Sequence, residues 1–207
     1  GLTGIGRRTF IQHSLKNVLN FKKVSILTIE NGDNINDICI KLTTMSEPYS
    51  NKSELSNLVS TVKKLNIDES ITRIINNIKS LNQKNELLIF VDEGGLLDDE
   101  GYLSSHMITF LQNFPCDGQA YLFIISNRKP QNIPYQVYAP TYYLKPLNDN
   151  DTKKLLTLHF RNLNLSFNPG QISELSEYIA GYPPAAFYAA QICHIYGIEL
   201  ILADKSK

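Results

Sequence analysis

Glu86-Leu87-Leu88-Ile89-Phe90-Val91-Asp92-Glu93 is the stretch on which the fold turns. Its unbroken apolar run leaves no polar face, so a strand here must be covered on both sides, as in a parallel sheet with helices on each face. The run ends in two acids, and ligands of such sheets gather at the carboxyl ends of the strands. Downstream, Gly94-Gly95 breaks the run and a helix is predicted around Ser104 to Asn113. Ala120-Tyr121-Leu122-Phe123-Ile124-Ile125 then reads as another buried strand, ending in Ser126-Asn127-Arg128-Lys129-Pro130. Tyr138 to Leu144 is a shorter candidate strand, with Tyr142-Tyr143 read as core. Upstream, Lys23 to Ile29 is β-branched and apolar, a further strand punctuated by Asn31-Gly32-Asp33. A short helix is expected from Asn34 to Leu42, with Ile35, Ile38 and Ile40 inward, and a polar loop from Ser46 to Ser53. Helices start at Ser53-Glu54 and at Ile67, where Ile71, Ile74, Ile75 and Ile78 keep helical period. Strands alternating with helices imply right-handed crossovers and an α/β parallel sheet flanked by helices.

From Leu147 the pattern changes. Asn148-Asp149-Asn150-Asp151 caps a helix through about Phe160, a second runs from Pro169 to Ala180, and a third from Pro183 to Ile201. No strand signal remains. The expected division is therefore an α/β core over residues 1–147 and a small helical lid subdomain over 148–207.

The chain opens with Gly1-Leu2-Thr3-Gly4-Ile5-Gly6-Arg7-Arg8-Thr9, followed by the helical run Phe10, Ile11, Leu15, Val18, Leu19. Glycines allow a tight turn that brings backbone N–H groups against an anion, and the helix N-terminus adds partial positive charge. The Walker pattern is G-x-x-x-x-G-K-[ST]. Gly1 and Gly6 hold its glycine positions, but Arg7 stands where Lys is expected and Arg8 where Ser or Thr is expected. A simple tight turn before a helix would use the same glycines. A phosphate loop normally hangs from a buried strand, so the chain is read as a piece of a longer polypeptide whose first strand precedes Gly1.

Composition narrows the function classes. The chain has 207 residues, 43% of them hydrophobic, a globular rather than a disordered balance. Lys plus Arg and Asp plus Glu are 20 each, so no global field recruits nucleic acid or an anionic membrane. No apolar run is long enough to span a bilayer and no signal-peptide pattern opens the chain, so a cytoplasmic location is expected. Cys39, Cys116 and Cys193 are far apart and free of metal spacing, and are read as buried thiols. His13, His106, His159 and His194 have no Cys, Asp or Glu spaced as partners in a metal site.

Three further clusters carry chemistry. Paired carboxylates at the end of a buried strand are costly unless they are used or solvated. In the functional reading Asp92 holds Mg²⁺ and Glu93 polarises an attacking water; in the other, both begin a solvated loop. Asn127 or Arg128 ends the next strand where it could sense a terminal phosphate, or simply form a surface turn. Gly181-Tyr182-Pro183-Pro184-Ala185 either caps a helix or places Pro183 against an adenine.

Taken in order, GLTGIGRRT, LLIFVDE, IISNR, YYLKPLNDND and GYPPA resemble the nucleotide-binding domain of STAND-class P-loop ATPases. That class includes the NB-ARC and NACHT-type domains of NLR-like immune receptors and bacterial anti-phage sensors. The resemblance covers nearly the whole chain and rests on motif order and spacing. It implies a P-loop NTPase sheet with a helical subdomain, ATP/ADP exchange as a switch and a homo-oligomer in the active state. Effector and sensor domains would flank the fragment. The phosphate-loop contacts it implies fall on Gly4, Gly6 and Thr9, and Gly1, Ile5, Arg7, Arg8 and Phe10 complete the expected cofactor-binding set. Asp92 and Glu93 become the metal and water-activating acids, Arg128 the first sensor, and Pro183 the adenine-side proline. Arg8 has no oxygen to offer Mg²⁺, so weak or absent hydrolysis is expected. The alternatives are an active AAA+-like ATPase that remodels a partner and a scaffold that has lost nucleotide binding.

Overall fold

The computed structural model describes residues 6–18, 21–47, 49, 51–115, 117–118, 120–135, 137 and 139–203. They fall into two compact units, one over Arg8–Thr141 and one that takes the described residues Gly6 and Arg7 together with those from Tyr142 onward. The first contains α1 (Arg7–Val18, starting one residue outside it), β1 (Lys23–Glu30), α2 (Ile35–Ser46), α3 (Lys52–Val62) and α4 (Ile67–Gln83). It continues through β2 (Glu86–Glu93), α5 (Ser105–Asn113) and β3 (Leu122–Ser126). The strands form a parallel sheet in the order β1-β2-β3, with Leu27, Phe90 and Ile124 in one row across it.

β2 is central because it is apolar on both faces. Leu88 and Phe90 join Leu27 and Ile29 in a core shared with Ile38 and Leu42 of α2, Ile74 and Ile78 of α4, and Phe110 of α5. Leu87, Ile89 and Val91 face the other way and cluster with Ile125, Ile11, Phe21, Val24 and Phe123. Local signals set the helices that cover the first face. Asn34 and Asn66 each make a reciprocal capping box, with Asp37 and Glu69, satisfying the first backbone donors of α2 and α4. The isoleucine period of α4 then buries Ile71, Ile74, Ile75, Ile78 and Leu81 together.

Three sequence expectations are corrected. The strand expected from Tyr138 to Leu144 is not formed: described residues 139–148 carry no regular structure, and Tyr138 lies outside the described residues. Pro140 has no N–H to give a ladder, and β-propensity without a neighbouring strand makes no sheet. Tyr142 and Tyr143 are accordingly 87% and 58% exposed rather than core. β3 begins at Leu122, not Ala120, and is not wholly buried: it is an edge strand, and Ile124 is 38% exposed.

The second unit holds α6 (Asp149–Asn162), α7 (Pro169–Ile179), α8 (Pro183–Tyr196) and α9 (Ile198–Ala203). Leu156, Phe160, Ile172, Leu175, Ile179, Ala186, Ala190 and Cys193 form its core. Asn148 caps α6, Asp149 and Asp151 sit in its first turn, and the Ser176 hydroxyl donates to Asp149 at 2.7 Å, tying α7 to α6. Cys39 and Cys193 are buried free thiols, pushed above their ordinary range by burial, and Cys116 lies outside the described residues. Among the described residues no helix is long and apolar enough to cross a membrane, and no three His, Cys, Asp or Glu groups are arranged to hold a metal.

Gly181 has a specific task. Its φ is +76°, and an added Cβ would stand 2.1 Å from the Leu147 carbonyl oxygen, while the Leu147 N–H donates to the Gly181 carbonyl at 2.9 Å. Gly197 also has positive φ, +84°, but nothing stands within 4 Å of its missing Cβ. Gly181→Ala is therefore expected to cost about 2–3 kcal/mol and Gly197→Ala about 1 kcal/mol or less. Urea unfolding of the two variants checks this, since equal midpoints would show that the close approach at Leu147 contributes nothing.

Candidate functional site

The parallel strands bring two sequence clusters, Asp92-Glu93 and Ser126-Asn127-Arg128, to the carboxyl edge of the sheet beside the end of β1. In register, Glu30 pairs with Glu93 and Asp92 with Ser126, so the carboxyl ends of β1, β2 and β3 align. Asp92 is 2% exposed. One carboxylate oxygen, Oδ1, accepts the Gly94 and Leu96 N–H groups, each at 3.0 Å. The other, Oδ2, accepts the Ser126 hydroxyl at 2.6 Å. Ser126 Oγ in turn accepts the Arg128 N–H at 3.0 Å. A buried carboxylate is tolerated only with such donors, and hydrogen bonds to a charged group are the stronger kind. Asp92 thus welds the turn after β2 to the turn after β3.

The two glycines after Glu93 let that turn close. Gly94 has φ +103°, and the Arg128 guanidinium lies over it, with Nη1 3.5 Å from the position of a Cβ. Gly95 runs against β1, where a Cβ would meet the Glu30 carbonyl oxygen at 2.2 Å and Ile29 Cγ2 at 2.7 Å. Beyond it, Leu96, Leu97 and Leu103 are buried and a bridge joins Leu97 to Leu103. Backbone bonds and Asn132 fasten this hairpin to the segment after β3: Gln131 N–H to the Gly101 carbonyl at 2.9 Å, and Leu103 N–H to Asn132 Oδ1 at 2.7 Å. Arg128 reaches its tip, Nη2 lying 2.5 Å from Asp99 Oδ1.

The predicted site residues are distributed as follows. Asp92, Ser126 and Arg128 are joined by the contacts above, and Glu93 is exposed beside them. Gly1, Gly4 and Ile5 lie outside the described residues. Gly6 has φ +95°, a left-handed conformation that favours glycine, and α1 starts immediately after it at Arg7. Arg8 falls in that first turn, Thr9 and Phe10 are exposed, and Ile11 packs on the second face of the sheet. Pro183 is the first residue of α8 in the second unit, following a Tyr182 that makes no side-chain cap.

Asp92 also bears on whether a divalent cation fits. A carboxylate offers about four lone-pair sites. The three donors leave Oδ2 room for one more partner, a direct oxygen ligand or a water of the kind Mg²⁺ retains. The donor chemistry is right for a hard cation, and the capacity is one contact.

Sequence reasoning singled out Asp92, Glu93 and Arg128 but missed Ser126 as the link and Asp99 as the partner of Arg128. Both bonds join residues about thirty positions apart, 34 for Ser126 with Asp92 and 29 for Arg128 with Asp99, so no local spacing announces them.

No protein-family model matches the chain, and neither does any curated protein. Among solved structures, a Walker-type ATPase of Pyrococcus abyssi is similar in fold, with a TM-score of 0.61 at 15% identity over 98% of this chain. The chain spans 64% of the length of that ATPase. Three parallel strands flanked by helices, with this likeness, make the fold an α/β fold of the P-loop NTPase type.

Proposed function

We propose that the chain is the ATP/ADP-binding switch module of a larger STAND-type signalling or anti-phage protein, with weak or absent ATP hydrolysis. The observation that carries this reading is the weld at the carboxyl edge. A buried Asp92 is joined through Ser126 to the turn that carries Arg128, on a sheet of P-loop NTPase type. In this reading the backbone of Gly4 to Gly6 cradles phosphates, Arg7 pairs with them, and Thr9 lies on the α-phosphate side. Asp92 would hold Mg²⁺ through its remaining lone pair or a water. The ion would supply neutralisation of phosphate charge. Glu93 orients water, Arg128 contacts the terminal phosphate, and Pro183 takes the adenine-side role.

A switch needs a ligand that distinguishes two states. Arg128 supplies that difference, because ADP has no third phosphate for it to meet. Arg8 argues for slow turnover, since an arginine adds charge but no oxygen ligand where a metal would sit. The flanking effector and sensor domains, the homo-oligomer of the active state and the cytoplasmic location belong to the same reading.

Steady-state phosphate release tests it. The expected result is turnover slower than the roughly 1–100 s⁻¹ typical of kinases by about two orders of magnitude or more, abolished in Glu93→Gln. Sustained turnover in the working range, lost in Glu93→Gln, would instead identify an AAA+-like ATPase.

A further inference from the structure

The hairpin between β2 and α5 presents Asp98-Asp99-Glu100 at its tip, and its three acids are not equivalent. Asp98 Oδ1 accepts the Tyr102 N–H at 2.7 Å and so shapes the hairpin itself. Asp99 points its carboxylate at Arg128, whose guanidinium it holds over Gly94. The hairpin base is fixed by its buried leucines and by Asn132, so the tip stays beside the arginine. Asp99 is 88% exposed and Arg128 30% exposed, which makes the pair accessible to a competing anion.

We propose that Asp99 is a specificity-determining residue that competes with the terminal phosphate of ATP for Arg128, and so sets the preference between ATP and ADP. The inference rests on the nucleotide reading above. An arginine fork accepts carboxylate or phosphate in the same planar geometry. A terminal phosphate brings more charge than one solvated carboxylate, so it takes the arginine, but it must first displace Asp99. ADP has no such group and leaves the pair intact. Exposed ion pairs are weak, so the competition is modest, worth about a two- to five-fold change in affinity.

Calorimetric titration of the full chain with Mg-ATP and Mg-ADP tests this in five proteins: wild type, Asp99→Asn, Glu100→Gln, Arg128→Ala and the Arg128→Ala, Asp99→Asn double variant. Asp99→Asn is expected to bind ATP about two- to five-fold more tightly than wild type, with ADP affinity unmoved. Glu100→Gln removes the same charge from the same tip and is expected to leave the ATP-to-ADP ratio at its wild-type value. In an Arg128→Ala background, Asp99→Asn is expected to change nothing. An unmoved ratio in Asp99→Asn, an equal gain for both nucleotides, an equal shift in Glu100→Gln, or a gain that survives Arg128→Ala each overturns the inference while leaving nucleotide binding intact. Failure of the wild type to bind either nucleotide overturns the underlying reading and this inference with it. Far-UV circular dichroism confirms that each variant is folded.

Discussion

Asp92→Ala is expected to destabilise the first unit by about 3–5 kcal/mol, a large share of the 5–15 kcal/mol that holds a typical domain. The alanine leaves the Gly94 and Leu96 N–H groups and the Ser126 hydroxyl without their acceptor in a buried site. Each stranded donor costs about 1–3 kcal/mol, and Ser126 recovers part by rotating. Asp92→Asn separates this structural effect from metal binding. Its carbonyl still accepts the two backbone donors, and its amide faces Ser126, so it is expected to cost about 1 kcal/mol. It removes the anionic oxygen, however, and Mg²⁺-dependent nucleotide affinity is expected to drop at least ten-fold. Urea denaturation of both variants reads the first effect; alanine and asparagine variants of equal stability would mean that the weld contributes nothing.

Arg7→Glu should lower nucleotide affinity by about 100-fold or more. A charge-assisted bond to phosphate is worth about 1.5–3 kcal/mol, and reversal adds repulsion from an anion of like sign. A loss of roughly 3 kcal/mol corresponds to about two decades in Kd. Arg7 is half-buried at the first position of α1, so the fold should tolerate the change better than it tolerates Asp92→Ala. Arg7→Lys restores the Walker-type cation and is expected to keep affinity within about ten-fold of wild type. Unchanged affinity in Arg7→Glu would remove the opening loop from the site.

The parts of this molecule that were legible in sequence are those set by local periodicity. The apolar run from Leu87 to Val91 announced a strand buried on both faces, and it is the centre of the sheet. The isoleucine spacing from Ile71 to Ile78 marks α4 and its inner face. What failed depended on neighbours. β-branched and aromatic residues between Tyr138 and Leu144 have strand propensity, but no strand lies beside described residues 139–144 to receive them. An apolar run such as Ala120 to Ile125 predicts a buried strand, yet Ile124 is exposed because β3 is at the edge of the sheet formed by the described residues. The glycines show the same limit. Gly94, Gly95 and Gly181 were visible as breaks, but the collisions that require glycine, with the Glu30 and Leu147 carbonyls, arise between segments distant in sequence. In the site, the acids at the end of β2 and Arg128 could be picked from strand ends, whereas Ser126 and Asp99 acquire their tasks only across the sheet edge.

The proposed function stands or falls on nucleotide binding. Calorimetric titration of the purified wild-type chain with ATP and with ADP, Mg²⁺ present, decides it. Saturable binding of both is expected, one nucleotide per chain, with ATP and ADP distinguished through Arg128 and both lost in Arg7→Glu. Absence of saturable binding of either nucleotide to the folded chain would contradict it and leave the P-loop NTPase fold serving only as a scaffold.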